Sequence, residues 1–170
     1  MGLLCCRSLV RCSCDPGKFS AFINIPWPRA YTLQSLICMA QRILYDVPTL
    51  TISYDYDGDW LYLDWHGNLD DETVMAGALK LLELLKQELC HKVLNDNTHI
   101  TGLWADAAKW GSDVFFPMLH EAGCRFFAWV YSPERFSQLS AELAVQRTTA
   151  GIGIMTFRNL PMAAEWLRTM

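Results

Sequence analysis

From Thr49 onward the chain carries apolar residues in two distinct rhythms. Leu50, Ile52 and Tyr54 alternate with Thr51 and Ser53, the period-two pattern of a half-buried strand. Asp57-Gly58 follows as a hairpin turn signal, because glycine accepts positive φ without steric cost. The return strand runs from Trp60 to His66. Leu61, Leu63 and Trp65 face one way, and Tyr62, Asp64 and His66 face the other.

The period then lengthens. Val74, Ala78, Leu81, Leu82, Leu85 and Leu89 repeat at helical spacing. Asp70 is placed to cap that helix, and Asp71 and Glu72 put negative charge at the positive end of its dipole. A short strand around Lys92 to Asn95 follows, and the polar run Asp96-Asn97-Thr98-His99 reads as the loop leaving it. Ala105 to Gly123 has helical spacing with Gly111 and Pro117 inside it. Proline removes a backbone donor and clashes with the preceding turn. The pattern predicts a helix to about Trp110, a break, and a second piece from about Ser112 to Gly123, with Gly123 in the left-handed position.

Arg125 to Tyr131 is a near-continuous apolar run, as in a strand buried on both faces. Ser132-Pro133 reads as an N-cap followed by a first-position proline, with Phe136, Leu139 and Leu143 turned inward. Ile152 to Phe157 is a further strand. Asn159 and Pro161 open a terminal helix with Ala163, Trp166 and Leu167 on one face. The order β-β-α-β-α-β-α-β-α predicts an α/β domain, an N-terminal hairpin followed by β-α alternation, with helices packed on a mixed sheet.

Composition supports a sizeable core: 170 residues, 52% hydrophobic and 19% charged, with a net charge of -4. Lys and Arg do not cluster as a nucleic-acid footprint requires. No apolar run reaches the roughly 18 residues that a membrane helix needs. Residues 1–38 differ from the rest. They hold Arg7, Arg11, Lys18 and Arg29 against one acid, Asp15, and no sustained period. Met39 opens a segment like an ordinary protein start, so 1–38 is expected to be an irregular extension not translated in the native protein, and 39–170 a single domain. Met1-Gly2 followed by Cys5 and Cys6 leaves lipidation as an alternative, although Cys6 stands where myristoylation wants Ser or Thr. Most cysteines lie in the extension. Cys90 and Cys124 are too far apart to be a disulfide framework, which suits a reducing, cytoplasmic location.

Asp55, Asp57 and Asp59 begin like a calcium loop, but Gly58 and His66 stand at the wrong positions for one. His66, His91, His99 and His120 share no metal-ligand spacing, although distant residues brought together in the fold remain open. Cys90-His91 reads as a helix end, and Gly151-Ile152-Gly153 as a turn before a strand. Cys124 begins a buried strand, where a thiol is inert. No cofactor is called for. Trp104, Trp110, Phe115 and Phe116 cluster around the flawed helix, as core, exposed patch or the lining of an apolar pocket. Helical spacing puts Val114 on the face of Trp110 and fans Phe115 and Phe116 outward.

Lys92-Val93-Leu94-Asn95-Asp96-Asn97 with Gly102-Leu103-Trp104, then Phe127 to Pro133, and the ending from Thr156-Phe157 to Trp166-Leu167 resemble a STAS-type domain. This is the fold of bacterial anti-sigma-factor antagonists; the nearer likeness is to an uncharacterised bacterial group classed with STAS and CRAL-TRIO-like folds. The resemblance covers about residues 49–170. It implies a non-enzymatic regulatory domain that binds a protein and is switched by serine phosphorylation. Asp96 and Thr98 resemble the family's Asp-x-Ser. Ala105-Asp106-Ala107-Ala108 occupies the stretch of the phosphorylated serine itself, leaving Thr98, Thr101 and Ser112 as the nearest hydroxyls. The expected function is therefore a protein-interaction domain using Asp96 to Ser112. The alternative is a small-molecule or lipid-binding domain with Trp104, Trp110, Phe115 and Phe116 lining an apolar pocket.

Overall fold

The computed structural model describes residues 41–147 and 151–170. The expectations for residues 1–38 lie outside the described residues. A six-stranded sheet runs in the order β1 (Gln41–Val47), β2 (Leu50–Asp55), β3 (Trp60–Asn68), β4 (Lys92–Thr101), β5 (Phe126–Val130) and β6 (Gly153–Phe157). β1, β2 and β3 pair antiparallel, and β3 to β6 pair parallel. The helices are α1 (Asp71–Glu88), α2 (Ala105–Trp110), α3 (Phe116–Glu121), α4 (Arg135–Arg147) and α5 (Leu160–Arg168). This is the mixed α/β sheet with packed helices that the residue pattern predicts.

Parallel strands added in sequence order need crossovers, and right-handed crossovers in one direction put their helices on one face. α1, α2, α3 and α4 accordingly share the larger core with Leu50, Ile52, Leu61, Leu63, Trp65, Val93 and Phe127. α5 follows the last strand and is free of that constraint. It packs Ala163 and Leu167 on the opposite face, against Trp60, Leu94, Ala128 and Val130.

Several local expectations need correction. β1 precedes the strand taken as first. It is an edge strand with Gln41, Arg42 and Ile43 exposed, so burial imposes little alternation on it. In the β2–β3 turn the positive φ falls on Asp59, at 55°, and not on Gly58. Gly58 is needed for space, since a Cβ there would lie 2.2 Å from the Trp60 ring. Leu89 is exposed in the left-handed conformation that ends α1.

The polar run after Asn95 continues β4 to Thr101. Its amides satisfy one another inside the fold: Trp65 Nε1 donates to Asn95 Oδ1 at 2.9 Å, and Asn95 Nδ2 to Asn97 Oδ1 at 2.9 Å. Another correction concerns α4. Ser137, Ser140, Ala141 and Ala144 are buried, while Phe136, Leu139 and Leu143 are exposed. Side-chain bonds decide the face: Ser137 Oγ donates to Gly102 O at 2.8 Å, and Ser140 Oγ accepts from Trp104 N at 3.3 Å. Glu134, not Ser132, caps α4, accepting from the amides of Phe136 and Ser137 at 3.1 and 2.8 Å.

Gly111 and Pro117 do not break the chain between α2 and α3. Gly111 to Phe115 forms a π-helical segment, with φ of -55° at Gly111, and Phe116 N donates to Gly111 O. That i→i+5 bond accommodates one extra residue in the turn.

Candidate functional site

The first candidate is the aromatic cluster. The widened π turn stacks Phe115 on Trp110, with ring centroids 5.6 Å apart, and leaves Val114 exposed. Phe115 and Phe116 thus point inward, the reverse of the fan expected from regular α spacing. Phe116 packs on Phe127 and Trp129, and Trp104 lies parallel to Trp129 at 6.2 Å. Between them is an apolar cavity of about 60 Å³, reached by Trp104, Trp110, Phe115, Phe116, Asn95 and Asn97. Drug-sized ligands occupy roughly 300–1,000 Å³. The aromatic residues fill a core and leave room only for water-sized groups.

The second candidate is the outer sheet face beyond α5. Asp64 on β3 pairs in register with Asp96 on β4, and His66 with His99. Two residue steps on β3 thus oppose three on β4, which is a β-bulge. Thr98 and His99 are both exposed at the bulge. Asp96 is buried and its Oδ1 accepts from the Thr98 amide at 2.9 Å and from the Thr98 hydroxyl. Its Oδ2 accepts from Tyr62 OH at 3.2 Å. Burial, followed by the negative charge of Asp96, holds the Tyr62 phenol well above its ordinary pKa. The bulge sets His99 Nδ1 3.6 Å from Asp64 Oδ1, and His66 Nε2 3.2 Å from Asp64 Oδ2. The two imidazoles stack 5.5 Å apart.

The third feature adjoins the second. Thr98, Tyr131, Ser132, Pro133, Gln138 and Arg158 line an open cleft of about 400 Å³. It lies at the carboxyl ends of β4, β5 and β6, where parallel sheets place ligand-binding crevices. Gln138 brings α4 to its rim. On the solvent side of that helix Phe136, Leu139 and Leu143 are 58%, 47% and 45% exposed. Leu103, 58% exposed, sits between the two points at which its loop is tied to α4.

Of the hydroxyls singled out from the sequence, Thr98 and Thr101 are exposed. Ser112 is buried and donates to Lys109 O at 2.8 Å. Trp104, Phe115, Phe116 and Asp96 are buried, so none of them offers an exposed surface; Trp110 is half-buried. Sequence reasoning missed the exposed stripe on α4 and the pairing of His66 with His99. The outward turn of Asp64 and His66 was legible from alternation. The bulge that brings His99 to them leaves no periodic signal. Cys124 is fully buried, and burial pushes its thiol up to about 12.

No family model and no curated protein matches the chain. Among the solved structures that are similar, two stand at low identity. One is a chain from the complex of the diguanylate cyclase SiaD with its activator SiaC from Pseudomonas aeruginosa. It is 16% identical, covers 68% of this chain and 99% of that chain, and gives a TM-score of 0.41. The other is SiaC of Pseudomonas aeruginosa, 12% identical, covering 70% of this chain and 100% of that chain, with a TM-score of 0.40. Likeness at that level carries no functional argument. Among the described residues, no helix is long and apolar enough to cross a membrane.

Proposed function

We propose that the chain is a non-enzymatic regulatory domain of STAS-like fold that docks a protein partner through α4 and the cleft beside it. The observation that carries this reading is the apolar stripe Phe136, Leu139 and Leu143, left in solvent while serines and alanines of the same helix are buried. Contiguous exposed apolar residues rimmed by polar groups mark interaction surfaces. An amphipathic helix turned the wrong way round for folding is suited to association. The α/β architecture supports the STAS-like assignment without deciding it.

Thr98 supplies the switch in this proposal. Its hydroxyl and amide are held by the Asp96 carboxylate. A phosphate removes the donated proton and adds about -1.5 to -2 charges beside that carboxylate. Repulsion drives the side chain off Asp96, and Arg158 across the cleft is the cation that can receive it. Thr101 is less suited, since its hydroxyl meets only Asn68 Oδ1, at 3.5 Å. Ser112 must leave the core first.

The test is quantitative affinity capture and crosslinking from the source cells with full-length wild-type, Leu139→Glu, Thr98→Ala and Thr98→Glu baits. A single partner should be held by wild type and Thr98→Ala. Leu139→Glu should lose it by at least tenfold while circular dichroism stays native. Thr98→Glu should change its capture. No partner, or equal capture by Leu139→Glu, sinks the docking reading. Equal capture by the two Thr98 variants sinks the switch alone.

A further inference from the structure

We propose that Asp64, His66 and His99 form a binding site for one divalent transition-metal ion of the zinc class, on the outer face of the sheet where β3 meets β4. One ligand atom from each residue lies within 4.8 Å of the other two. A four-coordinate ion at about 2.0–2.1 Å from its ligands separates them by roughly 3.3–3.5 Å. His66 Nε2 lies 3.2 Å from Asp64 Oδ2 and His99 Nδ1 3.6 Å from Asp64 Oδ1, one imidazole on each carboxylate oxygen. Closing the 4.8 Å span onto one ion is a matter of side-chain rotation.

Two further observations point to an ion rather than to ordinary ion pairing. Asp64 Oδ1 is buried and has no hydrogen-bond partner, because 3.6 Å to His99 Nδ1 is too long for one. A buried carboxylate oxygen left in that state is costly, and a coordinated cation satisfies it. The backbone is also specialised. Without the extra residue in β4, alternation would send His99 to the aromatic side of the sheet. The bulge instead re-aims it beside His66. Parallel bulges are rare, so this one needs a reason, and lining up two imidazoles over one carboxylate supplies it.

Two imidazoles and one carboxylate form a borderline donor set. It suits zinc, cobalt or nickel and is poor for calcium or magnesium, which prefer oxygen throughout. The histidine side chains are 41% and 61% exposed, so remaining coordination positions face solvent. Water or an oxygen donor from another molecule can fill them. The inference does not depend on the docking reading or on Thr98.

The probe is cobalt alone, added to chelator-treated, untagged full-length protein and to its His66→Ala and His99→Ala variants. Both substituted side chains are well exposed, and circular dichroism checks that the variants fold. Visible cobalt spectra and equilibrium dialysis are expected to show one equivalent held without a thiolate charge-transfer band. Each histidine variant should weaken that equivalent on the order of 100-fold or more, at or beyond the upper range seen for residues that merely support a ligand. Zinc should displace the cobalt with the same stoichiometry. Any equivalent held by cysteines carries the thiolate band and is unchanged by the histidine variants. Wild-type protein that binds no cobalt in that form, or variants that bind it as tightly as wild type, would overturn the site.

Discussion

Gly111→Ala should stabilise the protein, although Gly111 reads in the sequence as a helix breaker. Its φ of -55° is helical, so alanine enters without strain. Replacing glycine by alanine in a helix stabilises by about 0.5–1 kcal/mol. A Cβ at Gly111 meets nothing within 4 Å, so alanine enters without a clash. The expected gain is therefore the helical one alone, about 0.5–1 kcal/mol, or roughly 1–4 °C in Tm for a domain of this size. Gly77→Ala supplies the control of opposite sign. It has the same helical advantage, but its Cβ would stand 2.3 Å from the Trp65 ring and 2.8 Å from Leu50 Cδ2. Overpacking costs about 1–3 kcal/mol. Displacing Trp65 also strains its bond to buried Asn95, worth about 1–3 kcal/mol if lost. Net destabilisation of about 1–3 kcal/mol is expected. Urea unfolding followed by tryptophan fluorescence measures both, with an unchanged m-value as the two-state check. A destabilised Gly111→Ala refutes the continuous π-containing helix, and a stabilised Gly77→Ala refutes the packing of α1 on β3.

Two predictions concern titrating groups. The Cys124 thiol, raised to about 12, is almost wholly protonated at pH 8, so iodoacetamide should leave it unlabelled in the native protein and label it in urea; native labelling refutes its burial. Because its folded pKa is raised, its contribution to stability is complete below the ordinary thiol pKa and is lost as pH climbs towards 12. Glu134 has the opposite sign: the Ser137 and Phe136 amides lower its folded pKa, so its contribution is present above the ordinary carboxyl pKa and lost as pH falls through the lowered value. Glu134→Gln should flatten the acid limb of a Tm-against-pH curve, and an unchanged limb refutes the cap.

Where a signal is local, the sequence carries it. Asp70 caps α1 by accepting from Thr73 N at 2.9 Å, and Asn159 caps α5 by accepting from Met162 N at 3.1 Å. The faces of β3 follow from alternation alone, and Gly123 takes its left-handed conformation at φ 110°. Two of the failures depend on distant partners. Asn95 and Asn97 look like loop residues until Trp65, thirty positions away, supplies the first bond of their chain. The face of α4 is ambiguous in sequence because two stripes are available, one large and apolar, one of serine and alanine. Gly102 and Trp104 select the second through hydrogen bonds. Of the candidate site, Asp64 and His66 were legible as outward residues, and Thr98 as an exposed hydroxyl beside Asp96. His99 was not, because a single inserted residue shifts the phase of a strand without changing its composition.

The same topology accounts for where function can reside. Right-handed crossovers place α1 to α4 on one face of the sheet, and among the described residues α5 is the helix on the other. A helix of 9 residues is about 13 Å long, whereas β4, with 10 residues, spans about 33 Å. Among the described residues, α5 therefore packs on Trp60, Leu94, Ala128 and Val130 and is too short to cover the carboxyl half of β3 and β4 as well. Apolar side chains there would face water, so the chain puts Asp64, His66, Thr98 and His99 in that position. Those residues contribute little to the core. Their free stereochemistry, fixed by the bulge and by Asp96, is available for binding. The cluster of Trp104, Trp110, Phe115 and Phe116, which draws the eye in the sequence, is committed to packing, and the exposed chemistry lies on the opposite face of the sheet.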